Sequence, residues 1–568
     1  MSFETIVVFT EKPSVATTVA GVLGATARHK GYYQGNGYRV TWAFGHLVAL
    51  DEPETMNPAW GGRWAMNTLP MIPERWRYRV ADKVELQFAI IKNLFLAPET
   101  KSIINAGDAG REGQLIFDLI YNLTGSRVPV QRLWTSSLTD EAIRAAMHAL
   151  KPASAFAALS AAAALRQQWD WMNGLSTTRA YTILNGQKCT AGRVQTPTLA
   201  LIVERQHVIE HFKPEGFYEI EADVHTPPFK AKYTERDGDQ SRTRLADRAK
   251  AETILRSVSK ARSAVVAELQ TTEKTSPAPA LFNLLVLQKE ANQRFAFTAQ
   301  ETLDLAQSLY EEYKLLSYPR TESRHLSTDM LAELPGVLDT LSQLPTACFA
   351  AVKESLPVIA GQLVPAAQQA LAALRAGLSL SKSYVDAGKL TDHHAILVTP
   401  KHPPADLPKK QACIYYLVAA RFVAIFLPAE IRDETVVTLD IAAHPFRATG
   451  SIVRSPGWTI LNTPEKQDDD RQKLPPLTKG QEIAVNEILL RPGKTTPPKP
   501  YDDASLLTAM KNAGANLEDE DLVKAMKASG LGTPATRAAI IEKLFASGYA
   551  ERKLKAILPT PKGVAFIA

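Results

Sequence analysis

Cysteine is scarce in this sequence, with three among 568 residues. Cys189, Cys348 and Cys413 lie far apart and fit neither a zinc-binding spacing nor a disulfide framework. The sequence therefore predicts a protein without structural zinc or disulfides, in a reducing compartment such as the cytoplasm.

Long apolar runs and a nucleotide-binding loop are also missing. Residues 1–13 have neither a basic start nor an apolar core, so we expect no signal peptide. The most apolar late stretch, 415–427, is too short to span a bilayer and contains Arg421, so it predicts a buried helix. No GxxxxGK[ST] pattern occurs, which argues against an ATPase of the P-loop class.

What is present is the composition of a soluble globular protein, 45% hydrophobic and 22% charged. The length predicts roughly three to four domains. The net charge of +6 is compatible with a nucleic-acid partner, although many basic proteins never bind DNA.

The clearest chemical pattern is LLSYPRTESR at 315–324. Pro319 biases Tyr318 toward an extended backbone, in which side chains two positions apart leave the same face. Tyr318 and Arg320 should therefore point the same way. A phenol beside a guanidinium is suited to nucleophilic attack on a phosphate, although an isolated Tyr-x-Arg is usually an ordinary turn.

Two short β-rich runs, 5–9 and 101–105, each lead into a charged loop. Glu11 follows the first run, and Asp108 and Glu112 follow the second within GDAGREG. A strand, an acidic glycine-rich loop and a helix are typical of an open α/β sheet, which binds ligands at the carboxyl ends of its strands. Carboxylates on one loop are suited to Mg²⁺.

The rest of the chain alternates between helical and strand-like segments. Thr139 is expected to cap a helix whose first turn contains Asp140 and Glu141. Thr196 followed by Pro197 predicts another helix start, and Thr298 with Glu301 predicts a capping box. Further expectations are helical segments at 153–172, 281–295 and 533–549, strands within 216–270 and 434–443, and linkers at 271–280 and 464–476.

Together these motifs resemble those of type IA DNA topoisomerases, and most closely the bacterial topoisomerase III subgroup. SYPRTESRHL at 317–326 is similar to the family's active-site segment. Its companions follow in family order between residues 6 and 563, so the resemblance covers almost the whole chain. They are EKPS at 11–14, FGHLVAL at 44–50, GDAGREG at 107–113 and DHHAILVT at 392–399.

The resemblance implies a multidomain fold that combines α/β, helical and strand-rich parts in a four-domain ring with a central hole. The composition changes agree with such a division. The implied domains are a TOPRIM α/β domain (1–152), a helical DNA-binding domain in two parts (153–215 and 481–568), a strand-rich arch in two parts (216–278 and 405–480) and an active-site tyrosine domain (279–404).

The resemblance also implies a set of catalytic roles. Tyr318 would be the nucleophile and Arg320 its phosphate stabiliser. Glu11 would handle the proton of the 3′-oxygen, Lys12 would contact the phosphate, and His393 would assist there.

A magnesium site is implied at Asp108, Glu112 and Glu11. The family usually has a second aspartate where this chain has Gly110, so one negative charge is missing. We therefore expect one Mg²⁺, bound more weakly or through more waters than in relatives.

Residues in the helical segment match those that in the family hold single-stranded DNA by its backbone. Trp169 and Trp171 could stack on bases, but packing is the better interpretation. The predicted DNA-binding residues are Arg166, Asp170, Arg179, Arg193, Gln195, Thr196, Arg111 and His46.

The predicted function is ATP-independent cleavage of one DNA strand through a 5′-phosphotyrosine, strand passage and resealing. The expected protein is a monomer in the cytoplasm, associated with nucleoid or plasmid, with single-stranded or underwound DNA as its partner and no membrane. A helicase and a single-strand binding protein are further partners the family suggests. Two alternatives remain at this point: another TOPRIM enzyme, such as a primase or nuclease, and a non-catalytic single-strand clamp.

Overall fold

A computed structural model describes residues 4–224, 227–237, 240–390, 393–462, 472–514, 520, 523–524, 526 and 530–568. Most of the linker predicted at 464–476 lies outside these residues. Among the helices described, none combines the length and the apolar character needed to cross a lipid bilayer.

The amino-terminal part is built on a mixed sheet around strand β1, Thr5–Thr10. Val7 and Phe9 of β1 pack in one apolar core, whereas Val8 packs in a second core on the opposite face. Burial of both faces explains why the run reads as continuously apolar. The other strands are β2 Ala27–His29, β3 Tyr32–Gly35, β4 Tyr38–Trp42, β5 Val48–Leu50, β6 Tyr78–Val80, β7 Thr100–Asn105, β8 Val130–Arg132 and β9 Lys151–Pro152, and the helices are α1 Pro13–Leu23, α2 Pro53–Met56, α3 Glu85–Leu96, α4 Arg111–Thr124 and α5 Asp140–His148.

The strand order places the two charged loops side by side. In the described part of the sheet the order is β2-β3-β4-β1-β7-β8-β9, and β1 is parallel to both β4 and β7. Parallel neighbours end at the same edge, so Glu11 after β1 lies beside Asp108 after β7. The amide of Ala106 donates to the carbonyl of Phe9 at 2.8 Å and ties the two loops together.

Two helices follow the sheet, α6 Ala157–Asn185 and α7 Gln195–Glu210. The predicted start of α7 is wrong by two residues, because the cap is Val194 rather than Thr196. Pro197 is still within the first turn, where its missing amide is tolerated. The Thr196 hydroxyl instead accepts a hydrogen bond from the Gly192 amide.

A closed barrel is formed by strands from two separate parts of the chain. In the described residues its order is β10 Gly216–Val224, β11 Phe229–Tyr233, β16 His444–Ser455, β15 Glu430–Ile441, β14 Ser263–Ser276 and β17 Glu482–Lys494. Helix α8, Arg248–Val258, packs on it, and β12 Glu235–Asp237 pairs with β13 Gln240–Arg242. The linker predicted at 271–280 is wrong in its first part, because Thr271–Ser276 pair with β15.

Between β14 and β15 lies a helical region that carries Tyr318. Its helices are α9 Leu284–Phe295, α10 Ala299–Glu311, α11 Leu334–Ser342, α12 Pro357–Arg375 and α13 Lys409–Ala424. Thr298 caps α10 by accepting the Glu301 amide, as predicted, but the Glu301 carboxylate bonds Lys410 instead of completing the box. The apolar stretch at 415–427 forms a buried helix up to Ala424, as predicted, and its last three residues are buried beyond the helix end.

The chain closes with α14 Asp503–Lys511, α15 Pro534–Ala546, β18 Ala550–Lys553, β19 Ala556–Pro559 and α16 Pro561–Ile567. These elements, α7 and the Tyr318 region share one apolar core. Short 3₁₀ helices lie at Pro58–Trp60, Met66–Thr68, Ala153–Phe156, Asp329–Ala332, Thr346–Phe349, Ala387–Lys389 and Gly457–Leu461.

The predicted division at 405–480 differs from this arrangement at both ends. Helix α13 packs in the core of the Tyr318 region, because it is apolar on nearly every face. Strand β17 lies beyond residue 480 and closes the barrel against β10 and β14.

Candidate active site

The Tyr318 segment is held in place by a neighbouring extended segment, 393–399. The amide of Ser317 donates to the carbonyl of Leu397 at 2.8 Å, and Leu316 bridges to Val398. The hydroxyl of Thr321 donates to the carbonyl of His393 at 3.1 Å. These bonds fix His393 beside Tyr318, with 4.5 Å between the ring centroids.

Lys12 joins this region to the amino-terminal sheet. Its Nζ lies 4.1 Å from the ring centroid of Tyr318, 2.6 Å from Asp108 Oδ2 and 3.7 Å from Glu11 Oε1. His393 Nε2 lies 3.4 Å from the same Asp108 oxygen. The structure therefore brings Tyr318, Lys12, Glu11, Asp108 and His393 together, although they come from four separate parts of the chain.

The charges around Tyr318 oppose the effect of its burial. Burial raises the pKa of Tyr318, while Lys12 and then Arg320 act to lower it. Arg320 is exposed, which leaves its guanidinium accessible to a phosphate. Asp108 adds to the effect of burial, so the pKa of Tyr318 stays above its ordinary value and the two cations only reduce the increase.

The pKa values of the Glu11 and Asp108 carboxyl groups shift in opposite directions. Burial and then the neighbouring Asp108 raise the pKa of Glu11. Burial acts in the same direction on Asp108, but hydrogen bonding to His393 and the charge of Lys12 hold its pKa well below the usual range. Asp108 is therefore the fixed anion of the pair, and Glu11 is the one able to carry a proton.

Arg132 supports the Asp108 loop, although no sequence motif had pointed to it. Its side chain is 1% exposed and donates to the carbonyl oxygens of Asn105, Gly107, Leu133 and Asp108 at 2.6–2.9 Å. Burial lowers the pKa of Arg132 to about 10, so it stays charged at neutral pH. The signal in the sequence is an arginine at the end of a short strand among apolar neighbours.

The proposed metal ligands form an all-oxygen set with unequal partners. Glu112 Oε1 lies 2.5 Å from His46 Nε2, and Asp108 is already bonded to Lys12. Glu11 Oε2 is buried without a hydrogen-bond partner among the described residues. Nor do the described residues include a group of three His, Cys, Asp or Glu side chains close enough together to hold a metal ion. This set fits a hydrated Mg²⁺ with few direct ligands, because Mg²⁺ commonly keeps several waters.

Part of the predicted DNA-binding set forms a charged row along α6 and the start of α7. Arg193 Nε donates to Asp170 Oδ1 at 2.6 Å, and its Nη2 lies 3.1 Å from Asp170 Oδ2. Burial and then the charges of Arg193 and Arg111 lower the pKa of Arg166, so these arginines interact. Glu112 also acts on Arg166, and the row therefore begins at the acidic loop.

Three other residues of the predicted set make hydrogen bonds within the protein, and two of them are buried. Arg179 is 6% exposed, donates to the carbonyl of Trp60 at 2.6 Å and covers the ring of Trp64. Gln195 is 2% exposed and donates to Thr190. Thr196 is half-buried, and its hydroxyl accepts a hydrogen bond from the Gly192 amide. Burial leaves Arg179 and Gln195 no free face for a phosphate.

The two tryptophans of α6 differ. Trp171 packs against Trp60 and Trp76, with centroids 6.3 and 5.6 Å away. Trp169 is 56% exposed on the outer face of the helix. The packing interpretation therefore applies to Trp171 and does not describe Trp169.

Two further contacts link the Tyr318 region to the sheet, and neither was predicted. The hydroxyls of Ser14 and Tyr310 lie 3.1 Å apart, and the Tyr310 ring lies edge-on to Tyr318 at 5.5 Å. Asp329 accepts hydrogen bonds from hydroxyls on the loop before α5. Hydroxyl groups of this kind give no distinctive sequence pattern.

An acidic strand-end loop facing a tyrosine from another domain defines an enzyme class that acts on DNA strands. Residues 6–138 match the family described as Toprim domain, and residues 154–568 match the family described as DNA topoisomerase. The chain belongs to the DNA topoisomerase family and is a type IA enzyme. A Toprim domain generally binds Mg²⁺.

Curated relatives of similar sequence show which members of this family the chain is similar to. The chain is 38% identical over 568 residues to "DNA topoisomerase 3" of Bacillus subtilis (strain 168), covering 98% of this chain and 74% of the relative. It is 36% identical over 567 residues to "DNA topoisomerase 3" of Bacillus anthracis, covering 98% of this chain and 74% of that relative. Its fold is similar to the full-length topoisomerase I of Thermotoga maritima, with a TM-score of 0.64 and 21% identity over 99% of this chain and 82% of that one. The alternatives of another TOPRIM enzyme and a non-catalytic clamp are not favoured.

Proposed function

We propose that this topoisomerase cuts one DNA strand by direct attack of the Tyr318 oxygen on a backbone phosphorus. The new bond joins Tyr318 to the 5′ side of the break, and the bond from phosphorus to the 3′-oxygen is lost. The phenol releases its proton to solvent, and Glu11 donates one to the departing 3′-oxygen. The observation that carries this proposal is Lys12, whose Nζ contacts both the Tyr318 ring and the Asp108 carboxylate.

The cations reduce the cost of ionising the buried phenol, although the pKa of Tyr318 stays above its ordinary value. A free tyrosine has a pKa near 10 and is mostly protonated. Lys12 and Arg320 both oppose the increase that burial causes in the pKa of Tyr318. The same charges would stabilise the extra negative charge that develops on the phosphate during attack.

Resealing would use the same groups in the opposite direction. The 3′-hydroxyl attacks the phosphotyrosine, Glu11 takes its proton, and Tyr318 leaves. The raised pKa of Glu11 suits both tasks, because the carboxyl can hold a proton and then lose it. The bond energy is kept in the ester, which agrees with the lack of a P-loop.

We assign one Mg²⁺ to Asp108, Glu112 and Glu11. When bound, it would supply positive charge opposite these acids during resealing. Gly110 leaves the site one carboxylate short, so the ion should be held weakly. The chain's own cation, Lys12, already neutralises part of Asp108.

The single strand would lie along the row that begins at Arg111 and continues through Arg166 and Arg193. Guanidinium groups bind the backbone without reading bases, which suits a cut of low sequence preference. The Asp170 carboxylate holds Arg193 in position before DNA arrives. Trp169, exposed on the same helix, offers a flat surface to a base.

The experiment is a comparison of the unchanged protein with Tyr318→Phe. Both are incubated with negatively supercoiled plasmid and with a labelled single-stranded oligonucleotide, then denatured and run on gels. We expect resealed relaxed circles and a covalent adduct from the unchanged protein, and neither from the variant. Relaxation by the Phe variant would show that another residue is the nucleophile, and primers or permanent nicks would favour a different enzyme.

A further inference from the structure

A single carboxylate outside the reacting groups connects the Tyr318 region to the Toprim domain. Asp329 Oδ2 accepts the hydroxyl of Ser137 at 2.7 Å and the hydroxyl of Thr139 at 2.9 Å. These residues are separated by about 190 positions in the chain. Asp329 begins the 3₁₀ helix Asp329–Ala332, and both hydroxyls lie on the loop between β8 and α5.

The Toprim side of this contact has hydrogen bonds of its own. Thr135 donates its hydroxyl to the Ser137 carbonyl at 2.9 Å and accepts the Ser137 amide at 3.2 Å. Thr139 caps α5 by accepting the Ala142 amide. Ser137 is buried, so its hydroxyl is directed at Asp329 rather than at water.

Hydroxyls, rather than a cation, hold the Asp329 carboxylate. Within the described chain, no lysine or arginine pairs with it. Glu333 lies close enough for Asp329 and Asp140 to raise its pKa, after the larger effect of burial. A charged acceptor makes these hydrogen bonds stronger than neutral ones, but they can break without separating an ion pair. We therefore expect the contact of Asp329 with the two hydroxyls to be stable in the closed enzyme and able to break and form again.

We propose that Asp329, Ser137 and Thr139 form a latch that keeps the two ends of a cleaved strand aligned for resealing. This inference rests on the proposed function, in which Tyr318 carries the 5′ end and the Toprim acids face the 3′ end. Separating the ends requires the Tyr318 region to leave the Toprim domain, and that breaks the latch. The other described hydroxyl contact, Ser14 with Tyr310, is neutral and so weaker. Asp329 is thus a positioning residue whose contact, beside those of Lys12 with Tyr318 and His393 with Asp108, favours the closed enzyme over the open one.

The predicted signature of the latch is a separation of cleavage from resealing. Cleavage begins from the closed enzyme and depends on Tyr318, Lys12 and Glu11. Resealing requires the open enzyme to close again, so a weaker latch should lengthen the life of the covalent adduct. Loss of both hydrogen bonds should raise the steady-state ratio of adduct to free enzyme about tenfold.

The test uses the full chain, a labelled single-stranded oligonucleotide and denaturing gels. We expect Asp329→Ala to raise the adduct ratio about tenfold and Ser137→Ala about threefold. The cleavage rate should stay within twofold in both, and resealing of preformed adduct should slow by the same factors. Ser137→Thr keeps the hydroxyl and should behave as the unchanged protein. Glu333→Ala is the matched control, because it removes a nearby acid that does not bond the hydroxyls.

The outcomes separate the two proposals. Equal adduct ratios and resealing rates in all variants would overturn the latch alone. The same holds if Asp329→Ala slows cleavage and resealing equally, because that would mean general damage to the site. An unchanged protein that forms no adduct would overturn the proposed function, and the latch with it. Ser137→Ala keeps the test decisive if Asp329→Ala does not fold.

Discussion

The ammonium nitrogen of Lys12 lies 4.1 Å from the centre of the Tyr318 ring. Lys12 follows the first strand of the Toprim sheet, whereas Tyr318 lies in the inserted helical region. Through Asp108, the same nitrogen is bound to the acidic loop. Lys12 therefore contacts both halves of the active site, the Tyr318 region and the Toprim domain.

Tyr318→Phe is expected to reduce plasmid relaxation and adduct formation by more than about a thousandfold, because the nucleophilic oxygen is gone. Binding of single-stranded DNA should be unchanged, since the ring and its cations remain. Tyr310→Phe is the control: it loses a hydroxyl 3.1 Å from Ser14 in the same site and should still form adducts. Fluorescence anisotropy and adduct gels measure the two properties.

Lys12→Met is expected to slow cleavage about 10²–10³-fold at neutral pH, because a cation facing the phosphate is lost. Lys12 lowers the pKa of Tyr318 against the effect of burial, so its removal raises that pKa further. The rising limb of the pH–rate profile should therefore move to higher pH. Lys12→Arg retains the charge and should leave the limb near its original place. A limb that does not move in Lys12→Met would show that Lys12 does not act on the phenol.

Gly110→Asp is expected to lower the Mg²⁺ concentration for half-maximal resealing by about tenfold, because it adds a carboxylate to the acidic loop. Gly110 has an extended backbone and precedes the first residue of α4, a position where aspartate is favoured. Gly110→Asn has the same size and capping ability without the charge. If both variants behave alike, the effect comes from helix capping rather than metal binding. Resealing of preformed adduct during Mg²⁺ titration measures it.

Arg132→Met is expected to lower the free energy of unfolding by about 3 kcal/mol, because several buried carbonyls lose their donor. It should also reduce cleavage, since the carbonyls of Gly107 and Asp108 are among those acceptors. Urea denaturation and adduct gels check both effects. Arg127→Met is the control, an exposed arginine of the same domain that should change neither.

Arg166→Ala is expected to weaken single-strand binding and to reduce the slope of log affinity against log salt by roughly 0.7. Arg179→Ala should leave that slope unchanged and lower stability instead, because Arg179 is buried against Trp60. Anisotropy titrations at several salt concentrations separate the two. A reduced slope in Arg179→Ala would mean that this side chain does leave its pocket to meet DNA.

The sequence was sufficient where a local pattern has one structural meaning. The predicted elements form at the β-branched run 5–9, at the Thr-Pro start at 533 and over most of the apolar stretch at 415–427. The family resemblance also led to the correct enzyme class. What these have in common is that neighbours in sequence determine the outcome.

It was insufficient where distant partners decide. A threonine-rich segment at 271–276 looks like a linker until β15, some 160 residues later, pairs with it. Arg179 has the same side chain as Arg166 and lies on the same helix, but the Trp60 loop covers it. Arg132, Tyr310 and Asp329 have important contacts because of where the chain folds back, which no short pattern records.

Strands β14 and β15 run side by side, so Ser276 and Glu430 are paired where the chain leaves the barrel and where it returns. The part of the chain that carries Tyr318 therefore leaves and re-enters the barrel at adjacent points, and it also shares an apolar core with α7 and the closing helices. Two adjacent chain connections permit rotation about the line that joins them and hinder rotation about either connection alone. Under the proposed function, rotation about this line would carry the phosphotyrosine away from the Toprim acids and back along the same path, so the cut strand would return in its original orientation.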